Sequence, residues 1–127
     1  MIVRKLITKK IVKMSNFEHT VYKALLELFP HTKIYRQHTI RYQGRVLYFD
    51  FFVKSISLYI ECQGEQHYAF NRFFHNTIMN YKDSVYRDNL KEQYVLDKNA
   101  TLIQLRYKEH KDITSKELIE VILNGFK

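Results

Sequence analysis

Apolar residues along this chain follow two rhythms, and each marks a different kind of element. Phe17, Val21, Ala24, Leu25 and Leu28 recur at helical spacing. They follow a Ser15-Asn16-Phe17-Glu18 string, in which an N-capping serine precedes a glutamate by three residues. Pro30 closes that run, because its ring forbids helical continuation. Residues 34–42 are rich in Tyr, Ile and Thr and predict a strand, Arg41-Tyr42-Gln43-Gly44-Arg45 a hairpin connection, and Val46 to Val53 a second strand. Ser57 to Gln63 predicts a third, with Leu58, Ile60 and Cys62 on one face and Tyr59 and Glu61 on the other.

Gly64 interrupts the third strand and opens an irregular segment from Glu65 to about Asn76. A second helix is expected from roughly Thr77 to Asp97, with Tyr81 and Val85 on one stripe and Tyr86, Leu90 and Tyr94 on another. Thr101 to Tyr107 predicts a short buried strand, and a Thr114 cap starts a final helix that runs through Glu117, Leu118, Val121 and Ile122 to Gly125. The order α-β-β-β-α-β-α predicts an α/β fold, a mixed central sheet flanked by helices in one domain over residues 15–127. Residues 1–14 precede it as a basic arm or leading element. They carry Arg4, Lys5, Lys9, Lys10 and Lys13 and no acid, and the pairs Ile2-Val3, Leu6-Ile7 and Ile11-Val12 leave helix and strand both open.

Composition narrows the function classes. A length of 127 residues suits one domain, and 46% hydrophobic with 27% charged residues is a globular balance. The excess of 21 Lys+Arg over 13 Asp+Glu gives a net charge of +8, which predicts an anionic partner, most commonly nucleic acid. An anionic membrane would call for an amphipathic basic helix or a lipid anchor, and neither is evident. The single cysteine, Cys62, excludes an internal disulfide framework and a Cys-based zinc finger. Lys9, Lys10 and Lys13 break the N-terminal apolar stretch, so no signal peptide is expected, and no run reaches transmembrane length. The expected setting is cytoplasmic, inside a host cell if the chain is phage-encoded.

The chemistry concentrates in Phe49-Asp50-Phe51-Phe52-Val53 and in Tyr59-Ile60-Glu61-Cys62-Gln63-Gly64-Glu65-Gln66-His67-Tyr68. Asp50 is an acid inside an aromatic strand, where a carboxylate is costly unless a cation or hydrogen bonds compensate. Glu61 repeats the anomaly on the next strand. Two acids on adjacent strands with a glycine just beyond fit a hard-metal site for Mg²⁺, with Mn²⁺ as a substitute. They equally fit a strand-edge acid pair bonded to Arg or Lys elsewhere.

These residues resemble the PD-(D/E)xK nuclease superfamily, and within it the branch related to very-short-patch repair endonucleases, the EDxHD nucleases. The branch has a helix-borne Glu, a strand Asp, a variable strand-end position, a His shortly after a Gly and a later helical Asp. The matching positions are Glu18, Asp50, Gln63, His67 and Asp88. Arg87-Asp88-Asn89-Leu90-Lys91 and Leu102-Ile103-Gln104-Leu105-Arg106-Tyr107 resemble the family in order and spacing, so the likeness spans residues 15–107. It implies a restriction-endonuclease-like fold and a Mg²⁺-dependent endodeoxyribonuclease that hydrolyses phosphodiester bonds. The superfamily's usual lysine is replaced by Gln63, so the proton-handling role passes to His67, as in the very-short-patch relatives. No appended DNA-reading domain accompanies the match, which implies weak sequence specificity.

The resemblance implies catalytic roles for Glu18, Asp50, Glu61, Gln63, His67 and Asp88, with Asp50, Gln63 and Glu61 around the metal. Phosphate contacts are expected from Arg72, Arg87, Lys91, Lys9 and Lys10. Several residues have plainer readings: Glu18 as part of a capping box, His67 as a solvated loop histidine, Asp88 as the ion-pair partner of Lys91. Phe70, Phe73 and Phe74 either wedge into a base stack or bury themselves under their own loop. The expected partner is double-stranded DNA, met by a monomer or homodimer that nicks or acts on a mismatch or distorted structure. A nuclease fold that binds nucleic acid without cutting it, a junction-resolving nuclease and an RNA substrate remain as alternatives.

Overall fold

The cap on the first helix sets where regular structure begins. Ser15 Oγ accepts the Glu18 N–H at 3.2 Å and donates to Glu18 Oε1 at 3.3 Å, which satisfies an N-terminal donor that the helix itself leaves orphaned. Replacing Ser15 with alanine is expected to cost about 0.5–2 kcal/mol and lower the melting temperature by several degrees, readable by circular dichroism. The structure, a computed structural model, describes residues 14–64 and 78–126. Helix α1 spans Asn16–Leu28 and buries Phe17, Val21, Ala24 and Leu25, the helical stripe expected from the sequence.

Strands β1 (Ile34–Tyr42) and β2 (Arg45–Val53) form an antiparallel hairpin. Its two-residue connection, Gln43-Gly44, has φ of 49° and 77°, the left-handed pair that matches the twist of the flanking strands. A 3₁₀ turn at Lys54–Ile56 leads into β3 (Leu58–Gln63), antiparallel to β2. Helix α2 (Ile78–Asp97) lies in the crossover to β4 (Thr101–Arg106), which pairs parallel with β3. The sheet order is β1-β2-β3-β4.

Helices cover both faces. Phe51, Val53, Leu58, Ile60, Ile103 and Leu105 of the sheet pack under α1 and under Leu118 and Ile122 of the last helix. On the other face Phe49 and Tyr59 pack with Val95 of α2, and the Tyr59 ring stacks on Phe52 at 4.3 Å. This is the expected α/β class with a mixed sheet and helices on its flanks.

Two details differ from the sequence reading. Tyr107 does not end β4 but opens a single helical turn, α3 (Tyr107–His110), in which His110 Nδ1 accepts the Arg106 N–H at 3.1 Å. That side-chain bond leaves no periodic signature. Helix α4 then follows the Thr114 cap over Ser115–Gly125. On α2 only the lower part of the expected stripe packs: Leu90 is buried and Tyr94 joins the cluster, whereas Tyr86 is half-exposed at 50%.

Candidate active site

The β2–β3 ladder pairs Val53↔Leu58, Phe52↔Tyr59 and Phe51↔Ile60 and stops there. In continued register the next facing pair would be Asp50 and Glu61. At this point side-chain bonding replaces the ladder: Asp50 Oδ2 accepts the Cys62 N–H at 2.7 Å, and Asp50 Oδ1 lies 3.5 Å from Gln37 Nε2. Gln37, opposite Asp50 in the β1–β2 register, has φ of +48°, although the pairs on either side, Arg36↔Phe51 and His38↔Phe49, hold the same register. The alternation of β2 slips at this place. Phe51 packs in the core under α1, and Phe49, two residues earlier, in the core under α2. A strict strand would send both the same way. The slip turns the Asp50 carboxylate toward the α1 side, where it meets Glu18.

Three carboxylates therefore share one neighbourhood. Burial pushes Glu18 above the usual carboxylate range and the Asp50 charge pushes it further, against Ser15 hydrogen bonds and the Arg36 charge, which pull it down. Glu61 is pushed up to about 7, first by burial and then by the charges of Asp50 and Asp88, with Lys91 opposing. The Cys62 thiol is pushed up by burial and by all three acids, which keeps it neutral. Lys91 Nζ lies 3.1 Å from Glu61 Oε1, with side-chain exposures of 17% and 13%.

The Glu61 shift has a definite sign in stability. Its pKa is higher folded than unfolded, so the group's contribution is fully present below about pH 4.5 and is lost as pH rises through about 7. Substituting Glu61→Gln is expected to flatten the wild-type decline across that window, an effect on the order of 3 kcal/mol, readable as urea midpoints at pH 5 and pH 8. Lys91→Met should act in the opposite sense. At pH 6 a protonated Glu61 tolerates the loss of its partner, whereas at pH 9 the variant carries an unpaired buried charge and is markedly less stable.

The structure places some of the expected site residues within electrostatic reach of one another. Glu18, Asp50 and Glu61 interact electrostatically, and Asp88 acts on Glu61. Gln63 and Asp88 line one cavity of about 540 Å³ between α2 and the ends of β3 and β4, shared with Asn89, Gln104 and Arg106. Lys91 is engaged with Glu61 rather than with Asp88, so the expected Asp88–Lys91 pair does not form and Lys91 is not an open phosphate contact. Arg87 bonds Asp83 at 3.3 Å and stays half-exposed. His67, Arg72, Lys9, Lys10 and the three phenylalanines Phe70, Phe73 and Phe74 lie outside the described residues.

Sequence reasoning missed Gln37 and Arg36, which touch the site from β1. Only the fold, through β1–β2 pairing, places them there. The Lys91 role had a signal, since a lysine one turn from Asp88 on the sheet-facing side of α2 can reach β3.

Among the described residues, no group of three or more His, Cys, Asp or Glu is gathered to hold a metal. The donors present are all oxygens: the Asp50, Glu18 and Glu61 carboxylates and the Gln63 amide. Such a set fits a hard cation like Mg²⁺, which keeps several waters and takes one or two protein carboxylates. The upward shifts of Glu18 and Glu61 are those of acids that a neighbouring cation would relieve.

No family model and no solved structure matches the chain. Two viral proteins do. Residues of this chain are 39% identical over 64 positions to Uncharacterized protein 033L of Invertebrate iridescent virus 3, covering 50% of this chain and 33% of that protein. They are 36% identical over 78 positions to Uncharacterized protein 307L of Invertebrate iridescent virus 6, covering 61% of this chain and 36% of that protein. The match thus spans about a third of the length of each viral relative.

Proposed function

We propose that the chain is a metal-dependent DNA endonuclease that hydrolyses phosphodiester bonds at the Asp50 cluster. One observation carries this reading: the Asp50 charge acts on both Glu18 and Glu61 where the β2–β3 ladder ends, on a chain whose net charge is +8. A protein that needed only stability would not concentrate acids there, because each raises the cost of ionising the next. The positive remainder of the chain attracts a polyanion, and the local negative charge attracts a divalent cation.

Asp50, the Gln63 amide or backbone oxygen and Glu61 are the residues that would hold the ion. Bound there, it would supply positive charge for the phosphate oxygens and the leaving oxygen. The protein's own part is orientation and proton handling. The Cys62 N–H and the Gln37 side chain fix the Asp50 carboxylate. Lys91 holds Glu61 and offsets part of its charge. His67, ordinarily titrating near neutrality, would take the proton from the attacking water or give one to the leaving oxygen. Glu18 or Asp88 would orient that water or the imidazole. One such centre cuts one strand, so nicking, directed by a mismatch or a distorted structure, is the expected outcome.

A second reading has its own observation. Lys91 already neutralises Glu61, and Gln63 stands where the superfamily carries lysine, as befits a nuclease fold that binds nucleic acid without cutting. Purified protein with supercoiled plasmid, mismatched duplex and branched DNA separates the two readings. Nicking with Mg²⁺ that EDTA abolishes, and that His67→Ala slows by about 10²–10⁴-fold, supports the endonuclease. Binding at low salt with no cleavage of any of the three, in Mg²⁺ or Mn²⁺, makes the binding protein correct.

A further inference from the structure

We infer that the outer edge of β4 is an interface to a second copy of this chain, paired β4 to β4 and antiparallel, so that the two sheets run on as one. The inference stands on strand backbone and is independent of the endonuclease reading. β4 ends the order β1-β2-β3-β4, and among the described residues no strand lies beyond it. Its ladder with β3 fixes which backbone groups are already used. Thr101, which faces Leu58, donates its N–H to the Ser57 carbonyl at 3.0 Å. Successive residues of a strand point their N–H and C=O groups to opposite sides, so Thr101, Ile103 and Leu105 bond β3 while Leu102, Gln104 and Arg106 point outward. His110 Nδ1 takes the Arg106 N–H at 3.1 Å. The N–H and C=O of Leu102 and of Gln104 have no partner among the described residues.

The two edges of the sheet are built differently. β1 carries the exposed Arg36 and Arg41, and Gln37 with its left-handed φ of +48°, features by which proteins keep an edge from pairing. Along β4, Thr101 to Leu105 hold no charge, no proline and no left-handed residue. A cavity of about 540 Å³ lies along Leu102 and Gln104, bounded by Val95 of α2 and Gly125 of α4, so the edge is accessible between the helices. Such an edge is a template for another strand, and the strand it matches is its own copy. A two-fold axis at Ile103 sets Leu102 opposite Gln104 of the partner subunit, and Gln104 opposite Leu102 of the partner subunit. Each of these pairs exchanges two N–H···O bonds, which satisfies all four outward groups of both copies and leaves none over. The faces agree too. Leu102 and Gln104 lie on the α2 side, Ile103 on the α1 side, and opposed residues in an antiparallel pair share a face. Ile103 then meets its own copy in a non-hydrogen-bonded pair, where side chains approach most closely. An axis at Gln104 would instead call on the Arg106 N–H, which His110 already holds.

The test is sedimentation of the full chain in EDTA without nucleic acid, from about 1 μM to about 1 mM, together with amide hydrogen exchange at both ends of that range. Wild type should pass reversibly from monomer to dimer, and the Leu102 and Gln104 N–H groups should exchange as open amides when dilute and slow as the dimer forms. Gln104→Pro removes one outward N–H from each copy at a place where an edge strand accepts proline. It should weaken the dimer by at least about tenfold, with the dilute variant melting as wild type does. A chain that is monomeric throughout overturns the inference, as does a dimer that a folded Gln104→Pro leaves intact. Where the proline variant fails to fold, exchange in the wild type decides, and a dimer that leaves both amides open places its interface elsewhere. Protection of both amides at every concentration would give the edge to another segment of the same chain and would overturn the inference too.

Discussion

Replacing Phe51 with alanine is expected to cost about 3–5 kcal/mol of folding free energy. Phe51 is fully buried between the sheet and α1, and its ring stacks on Tyr22 at 5.6 Å and 5°. The substitution removes that contact and leaves a void that α1, held at its start by the Ser15 cap, cannot collapse to fill. Against a typical domain stability of about 5–15 kcal/mol, the loss brings the chain close to unfolding. Urea denaturation should show the midpoint falling with little change in slope. A control at an exposed site, Leu96→Ala, should stay within about 0.5 kcal/mol, since Leu96 is 76% exposed. A Phe51→Ala loss below about 1 kcal/mol would mean that the α1 face of the sheet is not the core described above.

The second large effect falls on activity. Asp50→Asn should reduce plasmid nicking at least a hundredfold, equivalent to about 3 kcal/mol of transition-state stabilisation, while changing stability little. Asparagine keeps an oxygen that can accept the Cys62 N–H; it removes the charge and turns the oxygen facing Gln37 Nε2 into an amide donor, which a flipped Gln37 amide can meet with its oxygen. Asp50→Ala removes both charge and acceptor, leaving the half-buried Cys62 amide without its 2.7 Å partner, so it should add a stability loss of about 1–3 kcal/mol. The two substitutions together separate the chemical part of Asp50 from the structural part. Full activity in Asp50→Asn would remove Asp50 from the reaction.

Much of the fold was legible because its signals are local. The Ser15 and Thr114 caps, the Gln43-Gly44 turn and the Leu58, Ile60, Cys62 alternation all lie within a few residues of sequence, and each element formed where those signals put it. The face reversal at Asp50 was not legible. It lies across the strand pair from a φ of +48° at Gln37, thirteen residues away, at a residue type that carries no turn signal. Glu18 illustrates a residue with two uses. The sequence places it in a capping box or in an acid site, and the structure has it bonded to Ser15 while its charge meets that of Asp50. The partner of Lys91 was misassigned for a related reason. Helical spacing brings Asp88 within reach, yet the side chain turns inward to Glu61, because a buried carboxylate holds a cation more strongly than a solvated one.

The central proposal is that Asp50, whose charge acts on both Glu18 and Glu61, receives a hard cation. Its most direct test is a thermal melt of the wild-type chain and of Asp50→Asn across a Mg²⁺ titration at slightly alkaline pH, where Glu61 is ionised. Binding to the folded state alone predicts a rise that continues logarithmically with Mg²⁺ concentration, worth about 1.4 kcal/mol at ten times the dissociation constant, and its absence in the variant. A melting temperature that ignores Mg²⁺, or that rises equally in Asp50→Asn, would contradict the account.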